Sequence, residues 1–226
     1  SLMFGLVSTI LVYLICIPLG VLKALKDGSA FDAVSSVVLF IMLSVPAVML
    51  AILLIVFLAG PSYLNAFPIG GLYSDGYHEM SFLSKIWDRT HHAILPLICY
   101  MIGSFTFLTM MMKNSMLDVI KLDYVRTARA KGLSEKVVYM KHALRNALIP
   151  VITGMAGIFS LFFSGSIIIE SIFSLDGMGL LSITSINSRD YNVLMGLIFL
   201  QSLLFMIGRL FADLSYVLVD PRIDFS

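Results

Sequence analysis

The sequence predicts an all-α, polytopic transmembrane helical bundle, and composition and apolar patterning carry that prediction. The chain of 226 residues is 59% hydrophobic and only 13% charged, with a mean hydropathy of +0.96. Soluble domains carry about twice that share of charge, roughly 25%. Five apolar runs are long enough to cross about 30 Å of hydrocarbon as helices. In lipid each run has to be helical, because a helix satisfies its backbone hydrogen bonds internally.

The five runs set the expected spans, at approximately 2–22, 34–59, 93–112, 150–172 and 191–218. Eleven Lys and Arg residues flank one side of this arrangement, and three lie in the loops on the other side. The positive-inside rule therefore predicts that the richer side, with the C-terminus, is cytoplasmic. Five spans would then put the N-terminus outside. Because an even number of spans is commoner, we expect that a span is missing at the front.

A basic segment, 113–149, separates the third run from the fourth and holds eight of the 15 Lys and Arg residues. The stretch 118–130 favours a helix, with acids near its start and bases near its end. Gly132 is a typical helix stop, and Ser134 can cap a second helix. The pattern predicts a helix–turn–helix on the cytoplasmic face. A solvated loop that only enforces topology is the alternative, which accounts for the charge but not for the ordered pattern.

The residues of this segment resemble the cytoplasmic loop of the permease subunits of bacterial ABC importers. The segment reads YVRTARAKG from 124 to 132 and HALRNALIP from 142 to 150. The general loop has the form Glu-Ala-Ala, three residues, Gly. Aligned on Gly132, the Glu position is occupied by Arg126, and the two alanine positions by Thr127 and Ala128. The segment departs from the general form at these positions. In this respect it is similar to the loops of the dipeptide, oligopeptide and nickel branch of these importers.

Two further signatures resemble the same branch. The stretch 170–181, ESIFSLDGMGLL, is similar to its outer-loop motif, and Asp213 with the ending DPRIDF is similar to its C-terminal motif. The ending and the stretch 188–191 resemble the B-type permeases of microcin C and oligopeptide importers. The resemblance covers essentially the whole chain. Members of this branch have six spans, and the present chain is similar to them from the second span onward.

The resemblance implies a membrane-spanning permease subunit of an ATP-driven importer, which moves peptides or peptide-like compounds across the bacterial inner membrane. It implies four kinds of partner: a second homologous permease, two ATP-binding subunits, an external substrate-binding protein and membrane lipid. No nucleic acid is implied. The loop would be the coupling helix that docks on an ATP-binding subunit. Its expected contact residues are Tyr124, Arg126, Thr127, Ala128, Arg129, Ala130, Lys131 and Gly132. Ala128 and Gly132 would pack closely, with Arg126, Arg129 and Lys131 at the rim.

Two other sets of charged residues are candidates for function. Glu170, near the outer end of the fourth run, is either a gate or binding-protein contact, or a group that stabilises the turn at Gly177 and Gly179. A buried carboxylate there needs a partner. Arg209 and Asp213 are four residues apart and can pair on one helix face. We expect a structural ion pair rather than a substrate site.

Absent motifs limit the chemistry. No phosphate-binding Gly-x-x-x-x-Gly-Lys-Ser/Thr loop occurs, so the chain is not itself the ATPase. We expect no catalytic residues, no metal and no cofactor, and therefore a transport subunit rather than an enzyme. Cys16 and Cys99 lie in separate apolar runs, where packing is the ordinary role of a thiol. An ATP-independent secondary transporter or channel subunit is the alternative, but most runs lack the charge at mid-depth that is typical of that class.

Overall fold

The computed structural model describes the backbone of residues 1–155 and 166–219, and the side chains of residues 1–152 and 166–210. Within these ranges the chain is mostly helical and contains no strand. The helices, in chain order, are α1 Leu2–Leu25, α2 Ala30–Ser44, α3 Ala47–Leu54 with a π-helical end Ile55–Ala59, α4 Phe82–Ile120, α5 Asp123–Ala130, α6 (Glu135–Val137, π-helical Val138–Ala143 and Leu144–Ala147), α7 Ile149–Met155, α8 Ile167–Ile172, α9 Met178–Ser188 and α10 Tyr191–Val219. A 3₁₀ turn, Tyr77–Glu79, precedes α4.

The long helices have the length and composition of membrane spans. Among the described residues, three helical segments qualify singly, namely Leu2–Leu25, Phe82–Ile120 and Tyr191–Leu210. The pair Ala30–Ser44 and Ala47–Ala59, bent by 94° at the break, qualifies only when taken together, as a broken span or a re-entrant loop. The predicted fourth run, 150–172, includes residues outside the described ranges. The depth of each residue in a bilayer stays a prediction.

The second predicted run is not one continuous helix. We expected a helix throughout 34–59, whereas α2 ends at Ser44 and α3 begins at Ala47. Pro46 explains the interruption, because its ring disfavours helical geometry at the preceding residue, Val45, and it has no N–H to donate. The hydroxyl of Ser44 donates to the carbonyl of Phe40 at 2.8 Å and satisfies one acceptor at the end of α2.

The third predicted run, 93–112, is shorter than the helix that contains it. Helix α4 extends from Phe82 to Ile120, beyond both ends of the apolar stretch. The polar residues at its ends do not stop it, because helix propensity and not apolarity decides where a helix ends. The expected helix 118–130 is divided as a result, since α4 ends at Ile120 and α5 begins at Asp123.

Two compact units make up the chain, and the first comprises 1–9, 45–103 and 159–207. Its described core consists of buried apolar side chains from α1, α3, α4 and α8 and from the turn after α8: Phe4, Ala51, Ala59, Ala93, Leu95, Cys99, Ile169, Phe173 and Leu175. The loop between α3 and α4 is fixed to this core. The N–H of Gly71 donates to the carbonyl of Phe173 at 2.8 Å, and a Cβ on Gly70 would lie 2.7 Å from the same oxygen.

The second unit comprises 10–44, 104–158 and 208–226. Within it α1 and α4 pack closely at Gly20, where a Cβ would lie 2.6 Å from the Cβ of Met112. The hydroxyl of Thr106 donates to the carbonyl of Leu39 at 2.7 Å, which joins α4 to α2. Ser115 donates to the carbonyl of Ala147 at 2.8 Å and joins α4 to the end of α6. The C-terminal end of the segment between α4 and α7 is thereby held against α4.

Candidate functional site

Helices α5 and α6 form a hairpin, the coupling hairpin, which comprises residues 123–147. Its turn is made by Gly132, whose φ is +78°. A residue with a Cβ is strained in that left-handed conformation, so the predicted helix stop is explained by backbone geometry. The N–H of Gly132 donates to the carbonyl of Arg129 at 2.9 Å. Ser134 stands at the position before α6, but its side chain makes no capping hydrogen bond.

One face of α5 is buried against the chain itself. Val125 is fully buried and Ala128 is 7% exposed, and α5 packs on the π-helical stretch Val138–Ala143. Val138 and Ala143 are also buried. Ala128, which we expected to contact a partner, therefore packs inside the hairpin. A small residue is needed there because two helices approach each other closely.

Arg129 joins the two helices of the coupling hairpin. Its Nε donates to both carboxylate oxygens of Glu135, at 3.0 and 3.3 Å, and its terminal nitrogen donates to the hydroxyl of Tyr139 at 2.9 Å. The guanidinium also lies over the Tyr139 ring, 5.4 Å from its centroid. The hydrogen bond to Glu135 raises the pKa of Arg129, while hydrogen bonds to Tyr139 and Arg129 hold the pKa of Glu135 below its ordinary value. Both groups stay ionised near neutral pH.

A second connection crosses the hairpin nearer its base. The hydroxyl of Tyr124 donates to the carbonyl of His142 at 3.3 Å and accepts from the side-chain amide of Asn146 at 2.7 Å. Thr127 donates to the carbonyl of Asp123 at 2.9 Å, within α5. Tyr124 and Arg129 thus hold α5 on α6 at two levels.

The opposite face of α5 is exposed. The Arg126 side chain is 70% exposed, and its guanidinium lies 3.7 Å from the carboxylate of Asp123 on the same helix. Thr127, Ala130, Lys131 and Gly132 are exposed as well. A Cβ on Gly132 would meet nothing within 4 Å, so the turn is open to any partner that approaches it. Of the eight expected contact residues, these five and Tyr124, which is 39% exposed, are exposed, and the Tyr124 hydroxyl is already hydrogen-bonded within the hairpin.

Glu170 is brought together with Gly177 and Gly179, the two glycines expected near it. Its side chain is 1% exposed, and one carboxylate oxygen accepts from the N–H of Leu180 at 2.9 Å. The other accepts from the hydroxyls of Ser1 at 2.6 Å and Tyr100 at 3.2 Å. A Cβ on Gly177 would overlap the Glu170 carboxyl group, and one on Gly179 would lie 2.6 Å from the N of Ile167.

Sequence reasoning missed a buried charge cluster formed by Lys23, Asp32 and Lys113, with Asp27 at its exposed edge. The Nζ of Lys23 lies 3.0 Å from one carboxylate oxygen of Asp32, and the Nζ of Lys113 lies 2.7 Å from the other. Lys113 also pairs with Asp27 at 2.8 Å, and Lys23 donates to the hydroxyls of Ser35 and Ser36. The sequence offers one hint, since Asp27 and Asp32 are the acids that follow the first run, but it does not show that Lys113, 81 residues after Asp32, packs beside them.

The remaining candidates lie partly or wholly outside the described side chains. Arg209 is exposed, but the side chain of Asp213 is not among those described, so their ion pair stays a prediction. Within the described part of the chain, His, Cys, Asp and Glu nowhere form a group of three that could hold a metal.

Comparison with known proteins gives one family. Residues 16–225 match the family described as "Binding-protein-dependent transport system inner membrane component". The chain is 47% identical over 227 residues to the inner membrane ABC transporter permease protein YejB of Escherichia coli O157:H7, covering 100% of this chain and 62% of the relative. It is 47% identical to the peptidoglycan transport system permease protein YejB of Agrobacterium fabrum, with 96% and 60% covered.

A more distant relative has the same kind of name. The chain is 40% identical to the oligopeptide transport system permease protein AppB of Bacillus subtilis, covering 100% of this chain and 69% of that one. Among solved structures, a chain of the inward-facing methionine ABC transporter MetNI aligns with a TM-score of 0.68 and 17% identity, covering 97% of this chain and 92% of that one. That likeness shows the fold. The chain spans about three-fifths of the length of the two YejB relatives.

Proposed function

Because the chain belongs to the binding-protein-dependent transport system inner membrane component family, we propose that it is the membrane-spanning permease subunit of an ATP-driven importer. The proposed cargo is peptides or peptide-like compounds. The names of the relatives support this cargo, since two of the three refer to oligopeptide or peptidoglycan transport. The chain would lie in the bacterial inner membrane, with the coupling hairpin and the C-terminus in the cytoplasm.

The proposed partners follow from two features of the chain, the lack of a phosphate-binding loop and the presence of the coupling hairpin. It has no phosphate-binding loop, so ATP hydrolysis belongs to two separate ATP-binding subunits. A second homologous permease would complete the pathway, and an external binding protein would deliver the cargo. The coupling hairpin would transmit the movement of an ATP-binding subunit to α4, which precedes α5 by only the two residues 121 and 122.

The observation that carries the proposal is the exposed, basic and internally fastened hairpin that follows a membrane-length helix. A loop that merely set topology would need its positive charges but not the buried face of α5 or the connections made by Tyr124 and Arg129. The hairpin keeps five small or cationic residues on its free surface. A rigid projection with an open glycine turn is suited to a groove in a partner, because little conformational entropy is lost when it docks.

Co-purification tests the class. The complete subunit, solubilised in mild detergent, is expected to retain stoichiometric ATP-binding subunits together with a second permease. Recovery of an active homo-oligomer without any ATP-binding subunit would instead favour the ATP-independent transporter or channel.

Substitution of Gly132 tests the coupling role, and the chain supplies a matched control. Gly132 and Gly76 have φ of +78° and +79°, and neither would place a Cβ within 4 Å of another atom. Gly132→Val and Gly76→Val therefore carry similar backbone strain, roughly 1–2 kcal/mol. We expect Gly132→Val to abolish uptake of a radiolabelled oligopeptide mixture while the subunit stays in the membrane. Gly76→Val should leave uptake near normal, and equal losses in both would contradict the coupling role.

A further inference from the structure

The two arginines of α5 are three residues apart and lie on adjacent sides of the helix, about 60° from each other, yet only Arg129 contacts α6. We infer that Arg129 is a positioning residue that closes the coupling hairpin, and that Arg126 is the arginine available to the ATP-binding subunit. The inference rests on the proposed function, and it divides roles among motif residues that the sequence treats alike. The groups that complement the free surface of α5 would be carboxylates lining the partner's groove.

The contacts of Arg129 are already made within the chain. Three of its N–H···O interactions go to Glu135 and Tyr139, and its guanidinium plane lies over the Tyr139 ring. The single Nε–H of Arg129 is shared between the two Glu135 oxygens, and a terminal N–H goes to Tyr139, so the guanidinium makes charge-assisted hydrogen bonds to two residues of α6. The Arg129 side chain is 33% exposed, compared with 70% for Arg126. The Glu135 side chain is 58% exposed, so its ion pair alone is weak. Releasing Arg129 to a partner would also remove the hydrogen bond and the ring contact to Tyr139 that link α5 to α6.

The contacts of Arg126 are weak by comparison. Among the described residues its ion pair is with Asp123, at 3.7 Å, and the Asp123 side chain is 97% exposed. Exposed pairs of this kind contribute at most about 1 kcal/mol, because water and salt screen them. Arg126 can therefore exchange Asp123 for a carboxylate of a partner at little cost.

The neighbours of each arginine support the division. Val125 and Ala128 are buried on the side of α5 that also carries the Arg129 contacts, whereas Ala130 and Lys131 are exposed. Residues 125, 128 and 129 are three or four apart and form the stripe whose side chains are buried or contact α6. Arg126 borders this stripe but makes no contact with α6 among the described residues. Arg126, Ala130 and the following Lys131 with Gly132 form the free surface. The two stripes have separate tasks, which are packing and docking.

A charge exchange tests the role of Arg129. In the assembled transporter, Arg129→Glu and Glu135→Arg are each expected to speed amide hydrogen exchange across 123–147 and to lower uptake, by about three- to tenfold. The double variant restores an opposite-charge pair, and Tyr139 can donate to a carboxylate at 129. Exchange and uptake are expected to return to within about twofold of the original. A double variant as defective in uptake as Arg129→Glu would show that Arg129 itself contacts the partner, and would overturn the inference.

Arg126→Glu is the matched comparison. It should leave amide exchange in 123–147 unchanged and reduce retention of the ATP-binding subunits as salt is raised. Glu135→Arg should not rescue it. Faster exchange in Arg126→Glu would contradict the division of roles. Failure of the proposed function gives a different result: the exchange data would still show the Arg129 connection, but no variant of the hairpin would alter uptake or retention of ATP-binding subunits.

Discussion

At the scale of single residues, the buried carboxylate of Glu170 requires hydrogen-bond donors around it and a glycine at position 177. A fully buried carboxylate is costly unless donors surround it, and here two hydroxyls and one backbone N–H supply them. The carboxylate reaches the turn before α9 because Gly177 has no Cβ to obstruct it. Glu170 thus fastens α8 to the start of α9. This geometry favours the stabilising role for Glu170, and contact with an external protein would have to occur through the turn rather than through the buried carboxylate.

Replacement of Gly177 by Ala is expected to destabilise the protein by about 1–3 kcal/mol, because the new Cβ overlaps the Glu170 carboxyl group and the turn has to move. The change would appear as a lower apparent Tm of the detergent-solubilised transporter. Gly196→Ala is the control, since a Cβ at that helical position meets nothing within 4 Å. Alanine favours a helix over glycine, so the control should be neutral or slightly stabilising. Similar Tm values for both variants would refute the steric argument.

At the scale of elements, the buried charge cluster joins three helices within the second unit. Lys23 lies near the end of α1, Asp32 in the first turn of α2, and Lys113 in α4. A buried charge in a membrane protein has to be paired. Asp32 is the shared partner of both lysines, so neither lysine can be removed without disturbing the other's environment.

Lys113→Met and Asp27→Asn should have very different effects. The Lys113 side chain is 11% exposed and that of Asp32 is 10% exposed, so loss of Lys113 leaves a buried carboxylate with half of its compensation, at a cost of about 3 kcal/mol. The Asp27 side chain is 52% exposed, and its loss should cost less than about 1 kcal/mol. Apparent Tm values of the two variants measure the difference. A smaller loss in Lys113→Met than in Asp27→Asn would argue against Asp32 as the centre of the cluster.

At the scale of the whole molecule, the sequence was sufficient for the features that depend on local chemistry. Apolar runs identify membrane-length helices because lipid leaves the backbone no other choice, and Gly132 marks its turn because few residues adopt a positive φ. The helix break at Pro46 was also readable, since proline disfavours a helical residue before it. It was missed because the apolar run around Pro46 was treated as one uninterrupted span.

The features that depend on tertiary packing could not be predicted from the sequence. Lys23 and Lys113 have the composition and position of topology-setting lysines, and only the packing of α1, α2 and α4 shows that aspartates neutralise them. Likewise Arg126 and Arg129 are equivalent in the motif. They differ because one side of α5 packs on α6. The α6 residues that contact this side, Glu135 and Tyr139 among them, come after the turn in the sequence.

Orientation is a property of the whole molecule, and thiol labelling measures it. The native Cys16 and Cys99 are buried, so a single cysteine placed at an exposed site reports on its own position. In intact cells, Lys136→Cys should resist a membrane-impermeant maleimide, because the positive-inside rule predicts that the hairpin is cytoplasmic. Asp75→Cys, in the loop before α4, should react. Labelling of Lys136→Cys from outside would reverse the proposed topology.

The charge cluster also implies an order of events during synthesis. The partners of Lys23 lie nine to 13 residues after it, so they can pair with it as soon as α1 and the start of α2 are made. Lys113 follows Asp32 by 81 residues. At about 5–20 residues per second, the ribosome reaches Lys113 roughly 4–16 s later. Until then Lys23 is the only one of its two lysine partners that has been synthesised, and we expect α1 and α2 to pair before α4 is added.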